Sequence, residues 1–154
     1  MGSLAPFEGQ VWRILPDQLV NTPAAPASAP EGRFHHSGQI AAYASLTAEG
    51  ARIAIQRYLE DDFGRVLIPM WLSARFVADI RGNLSASVIW QDYRARALTP
   101  PTWALSDISR RDGAQALLYS SRSRPEFSHV VVFDPACLTF VGPITPMAAI
   151  DPQT

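Results

Sequence analysis

The sequence has no lysine, one cysteine and no long apolar run. All 13 basic residues are therefore arginines, so arginine is the only side chain that can hold a phosphate through a full positive charge. The single cysteine, Cys137, excludes an internal disulfide and is typical of a reducing compartment. No apolar run approaches the roughly 20 residues that cross a bilayer, and the first residues lack a secretory-signal pattern. We therefore expect a cytoplasmic protein with no membrane partner.

The sequence lacks the motifs of several common catalytic and binding sites. There is no phosphate-binding P-loop, no Gly-x-Gly-x-x-Gly turn and no Gly-x-Ser-x-Gly nucleophile elbow. One cysteine and three histidines offer no zinc-ligand pattern, and the adjacent His35 and His36 cannot both point inward from an extended segment. We therefore expect no metal site.

Length and composition predict one globular domain. The chain has 154 residues, of which 47% are hydrophobic and 18% are charged. A chain of this length and hydrophobic content can bury a core without disulfides. The formal net charge is −1, which argues against a broad basic surface for nucleic acid. We expect a single domain over residues 1–154, with no nucleic acid among its direct partners.

The first half of the chain predicts two strands and a helix. Residues 11–15 and 39–45 are typical of strands, and a proline-rich loop over residues 21–30 separates them. Thr47 is the candidate N-cap of a helix, because apolar residues then recur on one helical face over residues 51–59.

The second half predicts two helices and five strands. One helix covers residues 87–98, and the other begins at Thr102 as its cap and ends at Arg111, before Gly113. The strands cover residues 65–70, 75–80, 116–119, 130–133 and 137–141. Because these elements interleave without regular βαβ spacing, we predict an α+β domain with a mostly antiparallel central sheet and short flanking helices.

Two blocks of sequence carry a resemblance to a known family. The first is GRFHHSG at residues 32–38, followed by Tyr-Ala-Ser at residues 43–45. The second contains PTWAL at 101–105, LLYSSR at 117–122 and VVVF at 130–133. In order and spacing these blocks resemble the RES domain family, named for its Arg, Glu and Ser residues, over about residues 10–141. The family comprises toxins of bacterial toxin–antitoxin pairs, with a fold similar to the bacterial ADP-ribosyltransferases.

The resemblance implies which residues form the catalytic site. Arg33 matches the family arginine, Tyr43 the tyrosine that follows it, and Ser121 the family serine. The family glutamate belongs on the helix after Tyr43, where the best match is Gln56, so the acid is replaced. A shift of one helical turn would select Glu49 or Glu60 instead, and Glu126 is a third candidate acid.

The resemblance also implies the substrate, NAD, and the role of each residue. Arg33 would hold the pyrophosphate or the ribose oxygens, and the ring face of Tyr43 would hold nicotinamide, a role that phenylalanine could also fill. Ser121 would donate a hydrogen bond to NAD, and His35 or His36 would reach the adenosine or the ribose. Without the resemblance, the same residues are typical of a surface ion pair, core packing and turns.

Three functions remain open on the sequence, and the replaced acid favours the first, slow transfer to a target, over rapid destruction of NAD. The first is a toxin that transfers ADP-ribose from NAD to a cellular protein, and the second is a toxin that destroys NAD by hydrolysis or phosphorolysis. The third is a degenerate binding module that has lost catalysis with its glutamate. In each case the resemblance implies a cognate antitoxin of the Xre-associated kind as partner, and the first adds a protein substrate.

Overall fold

Two long antiparallel strands form the centre of the fold. The computed structural model describes residues 3–56 and 64–147, and within them β1 (Ala5–Pro16) pairs with β3 (Arg65–Asp79) along almost its whole length. The two strands predicted at 65–70 and 75–80 are one continuous strand. The intervening residues keep the alternation of a strand, because Leu72 and Ala74 are buried while Trp71 is exposed.

The remaining elements are short. The further strands are β2 (Ala42–Ser45), β4 (Ala116–Ser120), β5 (Ser128–Val132), β6 (Leu138–Phe140) and β7 (Thr145–Pro146). The helices are α1 (Ala48–Ile55), α2 (Trp90–Ala95) and α3 (Pro101–Arg111), with single 3-10 turns at Asp17–Leu19, Leu84–Ala86 and Pro135–Cys137. No helix in the described part of the chain is both long enough and apolar enough to span a bilayer.

The sheet closes on itself. The pairing runs β1–β2–β5–β4–β3 and returns to β1, while β6 and β7 add to β3. Every pairing is antiparallel except that of β3 with β4. The α+β class is confirmed, but the sheet departs from the expected mostly antiparallel one because it is mixed, with one parallel pairing, and closed. The reason is the length of β3, which pairs with β1 and still extends far enough for residues 77–79 to meet β4.

Alternating residues fill the inside of this closed sheet. The interior cluster takes buried side chains from most strands, among them Val11, Ile68, Met70, Leu72, Val130 and Val132. A second cluster lies on the outer face of β2, β5 and β4, where Phe34 and Tyr119 have ring centroids 4.6 Å apart. The outer face of these three strands is therefore partly covered by the segment that contains Phe34, and this places that segment beside the site described below.

The ends of α1 and α3 follow local capping rules, and one predicted cap is wrong. Thr47 caps α1 as predicted, because its hydroxyl accepts a hydrogen bond from the Gly50 amide at 2.9 Å. Thr102 is not a cap: Pro100 is the N-cap of α3, Pro101 takes the first helical position, and Thr102 is fully buried inside the helix. Gly113, at φ +92°, follows the end of α3 as expected.

The helix predicted over 87–98 is shorter than expected, because only Trp90–Ala95 is helical. Ala97 has a positive φ of 56°, which ends the helix before the two prolines. The predicted apolar face of α1 was expected to continue to residues 58 and 59, and these lie outside the described residues.

Candidate functional site

A cleft of about 730 Å³ lies on the outer face of the closed sheet. Its floor is a row of side chains on four adjacent strands, because Trp12 pairs with Ser45, Ser45 with His129, and His129 with Tyr119. Residues directly opposite on neighbouring strands point to the same side of a sheet. The walls come from the loop at residues 26–33 and from α1. Strand register therefore brings residues that are far apart in sequence into one surface.

Arg33 lies at the edge of the cleft with its guanidinium already anchored. Its Nη1 donates hydrogen bonds to the carbonyl oxygens of Ala86 and Val88, both at 2.9 Å. Its Nε and Nη2 make no hydrogen bond to the residues that the structure describes. One edge of the guanidinium fork is thus fixed by the protein, and the rest is available to an anion in the cleft.

The hydroxyl group of Tyr43 is fully engaged. It accepts a hydrogen bond from the Phe34 amide at 2.9 Å and lies 2.8 Å from Nδ1 of His35. His35 Nε2 lies 2.8 Å from the Ala29 carbonyl oxygen, which can only accept, so Nε2 carries the proton and Tyr43 donates to Nδ1. Burial raises the pKa of Tyr43 far above its usual range and lowers that of His35. Both groups are therefore uncharged at neutral pH.

Gly32 makes this close packing possible. A Cβ at Gly32 would lie 2.9 Å from the Tyr43 hydroxyl and would collide with the ring of His35. The Gly-Arg sequence therefore lets the backbone pass close to the Tyr43–His35 pair and present Arg33 beside it.

Tyr43→Phe is expected to lower the free energy of unfolding by about 1–3 kcal/mol, because the variant leaves the Phe34 amide and His35 Nδ1 without a partner. Urea denaturation would measure the loss, with Tyr93→Phe outside the cleft as the matched control. Wild-type stability and activity in Tyr43→Phe would mean that only the ring face matters, as the sequence analysis proposes.

The structure places most of the sequence-predicted residues on the cleft. Arg33, His35, Tyr43, Gln56 and Ser121 all line it. Ser121 is 3% exposed, and its hydroxyl accepts a hydrogen bond from the Arg124 amide at 3.2 Å, so it also holds the turn after β4. Gln56 is the exposed residue that ends α1.

The other candidate acids and His36 have different positions. Glu49 and Glu126 are exposed and do not line the cleft, and Glu60 lies outside the described residues. His36 also lies away from the cleft: its ring stacks on Trp103 at a centroid distance of 4.6 Å, and its Nε2 lies 3.0 Å from a carboxylate oxygen of Asp107.

Helix α3 holds the segment that contains Arg33 through residues that do not line the cleft. Trp103 Nε1 donates to the Gly32 carbonyl oxygen at 2.8 Å. Arg110 donates to the Phe34 carbonyl oxygen at 3.0 Å, and its guanidinium carbon lies 3.9 Å from the centroid of the Phe133 ring. The PTWAL block and the end of α3 thus position the arginine segment.

Arg13 is a cleft residue that the sequence analysis missed. It is 3% exposed, and its guanidinium donates to the carbonyl oxygens of Tyr43, Pro23 and Ala25 at 2.7–2.9 Å. Burial lowers its pKa to about 10, so it stays positively charged at neutral pH. The signal was present, because a charged residue between Val11 and Leu15 occupies an inward position of the strand alternation.

The pair formed by Ser45 and His129 was also missed. Ser45 Oγ lies 2.6 Å from His129 Nδ1, and both residues are at least 95% buried at the floor of the cleft. Burial, and to a lesser degree the positive charge of Arg33, lowers the pKa of His129 to about 4, so the ring is neutral at pH 7. A histidine inside the otherwise apolar SHVVV strand could have indicated such a site.

The described lining of the cleft carries one sign of charge. Arg13, Arg33, Arg65 and Arg122 line it, and no described aspartate or glutamate does. Within the described ranges, no group of three His, Cys, Asp or Glu side chains could hold a metal ion. The arrangement suits an anionic ligand with apolar and aromatic parts, since Trp12, Tyr43 and Trp90 also line the cleft.

Comparison with known proteins gives a family and a fold. The family model of the RES domain matches residues 10–150. The fold is similar to that of a chain in the crystal structure of the M. tuberculosis MbcT–MbcA toxin–antitoxin complex, with a TM-score of 0.66 and 12% sequence identity. The match covers 94% of this chain and 86% of that chain. No curated protein matches the sequence significantly.

Proposed function

Because the chain belongs to the RES domain family, we propose that it is the toxin of a bacterial toxin–antitoxin pair acting in the cytoplasm. Its proposed reaction cleaves the nicotinamide–ribose bond of NAD and transfers ADP-ribose to a cellular protein. The observation that carries the proposal is the cleft, where Arg33, Tyr43 and Ser121 converge although they are 10 to 88 residues apart in sequence.

The charges of the cleft support NAD as the ligand. The pyrophosphate of NAD is an anion, and among the arginines of the described lining Arg33 and Arg122 offer charged, planar donors for it. The two ring systems of NAD need flat apolar surfaces, which Tyr43, Trp12 and Trp90 can supply. NAD therefore suits both the positive and the aromatic parts of the lining.

The cleft residues bind NAD and position it in the proposed reaction. Arg33 holds phosphate or ribose oxygens through the two nitrogens that its carbonyl contacts leave available. The ring of Tyr43 holds nicotinamide, and its hydroxyl fixes the loop that carries Arg33. As the C–N bond breaks, positive charge develops on the ribose while nicotinamide leaves as a neutral molecule. Groups that hold NAD in the orientation needed for this bond to break lower the barrier.

An antitoxin is the proposed protein partner. The structural relative was solved as a toxin–antitoxin complex, and its fold extends over nearly all of this chain. An Xre-associated antitoxin encoded beside this chain would agree with the proposal. Co-expression with that antitoxin should restore the growth of cells that the protein alone arrests.

NAD labelled in its adenosine part tests the reaction directly. Incubation with a bacterial lysate should leave label on one or a few proteins, with nicotinamide released in equal amount. Free ADP-ribose with no labelled protein would show that the reaction is hydrolysis and not transfer. Intact NAD, with no growth arrest on expression, would instead identify a degenerate binding module.

Phosphorolysis of NAD is the second candidate, and the arginine-rich lining favours it. Inorganic phosphate is a nucleophilic anion that needs no base, and the described lining carries four arginines and no carboxylate. Release of nicotinamide that depends on added phosphate, with ADP-ribose 1″-phosphate as product, would select this reaction over transfer to protein.

Gln56→Glu is expected to shift the products toward free ADP-ribose. A carboxylate at the cleft end of α1 stabilises positive charge on the ribose and orients or deprotonates an attacking water. The ratio of free ADP-ribose to protein-bound label measures the shift. Gln10→Glu is the control, because it adds the same charge at an exposed position of β1 away from the cleft.

If Gln56→Glu leaves this ratio unchanged and Gln56→Ala is also silent, then Gln56 does not occupy the position of the family glutamate. The exposed end of α1 would then contribute at most an (i, i+4) ion pair with Arg52, which stabilises a helix by about 0.2–0.5 kcal/mol.

A further inference from the structure

We propose that His129, oriented by Ser45, is the base that accepts the proton of the nucleophile in the NAD reaction. The inference rests on the proposed transfer to protein or water, and it assigns a role to a pair of residues that the resemblance leaves unused. A hydroxyl or water nucleophile must lose a proton, and Gln56 cannot accept one.

Among the described residues that line the cleft, His129 is the one whose side chain can act as the base. Arginine side chains stay protonated and cannot accept a proton. His35 has both nitrogens occupied, Nε2 by the Ala29 carbonyl oxygen and Nδ1 by the Tyr43 hydroxyl. His129 uses only Nδ1, toward Ser45, and its Nε2 has no hydrogen-bond partner among the described residues.

The surroundings of His129 fix the direction of the ring. Ser45 on β2 and Tyr119 on β4 are its cross-strand neighbours, and the ring centroid of Tyr119 lies 5.4 Å away. When Nδ1–H donates to Ser45 Oγ at 2.6 Å, Nε2 carries the free electron pair. Ser45 thus acts as a positioning residue, because its hydroxyl fixes the orientation of the ring and can accept from Nδ1–H in the tautomer that leaves Nε2 free to act as a base.

The basicity of His129 also suits the role. Burial holds the pKa of His129 at about 4, so the imidazole is unprotonated at neutral pH and can accept a proton. Burial beside Arg33 keeps the ring neutral, so it does not repel the positive charge that develops on the ribose.

The proposed step balances without a further reactant. The oxygen of water or of the acceptor hydroxyl forms a bond to the anomeric carbon of the nicotinamide ribose. The bond from that carbon to the nicotinamide nitrogen breaks, and its electron pair stays on the nitrogen, so nicotinamide leaves neutral. The proton of the attacking oxygen passes to Nε2 of His129, which later returns it to solvent.

Azide rescue of His129→Asn tests the assignment. Asparagine can keep a hydrogen bond to Ser45 but is not a base, so kcat for nicotinamide release should fall about 10²-fold or more while KM for NAD changes little. Azide is an anionic nucleophile that needs no deprotonation. It should restore nicotinamide release in His129→Asn, with ADP-ribosyl azide as product, but not in Arg33→Ala, where substrate binding is lost.

The pH profile provides a second readout. The wild-type kcat should fall in acid with an apparent pKa near 4, and this limb should be absent from the azide reaction of His129→Asn. The charged and titratable groups that face His129 are Arg33 and Tyr119, and His35 is the other imidazole of the cleft. If His35 were responsible, the acid limb would persist in the azide reaction.

Two results would overturn the assignment while leaving the proposed function intact. One is a folded His129→Asn with the wild-type kcat, and the other is a loss of activity that azide does not restore. If His129→Asn does not fold, His129→Gln and the wild-type acid limb decide between the same outcomes. A wild-type protein that releases no nicotinamide from NAD would contradict the proposed function itself.

Discussion

Arg33→Ala is expected to abolish growth arrest and to slow NAD cleavage by about 30- to 1,000-fold, which corresponds to about 2–4 kcal/mol of transition-state stabilisation. The reason is the geometry of the guanidinium. The carbonyl oxygens of Ala86 and Val88 fix Nη1, so the remaining nitrogens meet the substrate without first having to be ordered. Colony formation on induction and nicotinamide release by the purified protein measure the two effects.

The control for this variant is Arg75→Ala, which removes the same charge from an exposed position of β3 outside the cleft. It should retain both toxicity and NAD cleavage. Thermal unfolding shows whether Arg33→Ala is folded, because Arg33 also connects its own segment to the turn that contains Ala86. A folded Arg33→Ala protein with full toxicity would remove Arg33 from the site.

Local sequence patterns predict the elements of this fold better than their arrangement. The N-cap at Thr47 and the turn at Gly113 follow from residue chemistry alone, and both are confirmed. The closure of the sheet depends on which strands pair, and pairing is set by contacts between distant residues. The sequence predicts two strands separated by a break between residues 70 and 75. In the structure β3 is one strand, and it is long enough to pair with both β1 and β4.

The candidate site also depends on contacts between distant residues, which local sequence patterns do not predict. Arg33, Tyr43 and Ser121 could be selected because they belong to recognisable blocks of sequence, and the structure places all three on the cleft. Ser45 and His129 could not be joined from sequence, because they are 84 residues apart and meet only through the register of β2 with β5. His36 matched the same block as Arg33, yet its side chain turns toward α3.

Arg13→Met is expected to lower the free energy of unfolding by about 3 kcal/mol, which corresponds to a fall in Tm of about 6–12 °C for a domain of this size. Arg13 donates to carbonyl oxygens of β2 and of the proline-rich loop, at Tyr43, Pro23 and Ala25. Methionine fills a similar volume but leaves these acceptors without a donor. Denaturation in urea, followed by tryptophan fluorescence, measures the change.

The position of Arg13 explains why the effect should be large. β1 and β2 share a single paired position, Trp12 with Ser45, so the guanidinium supplies the link that a longer ladder would otherwise provide. Arg13→Lys keeps the charge but loses the planar fork, and it should recover only part of the stability. Arg75→Met, at an exposed position of β3, should change the free energy of unfolding by no more than about 0.5 kcal/mol. Wild-type stability in Arg13→Met would show that the loop and β2 hold their positions without the arginine.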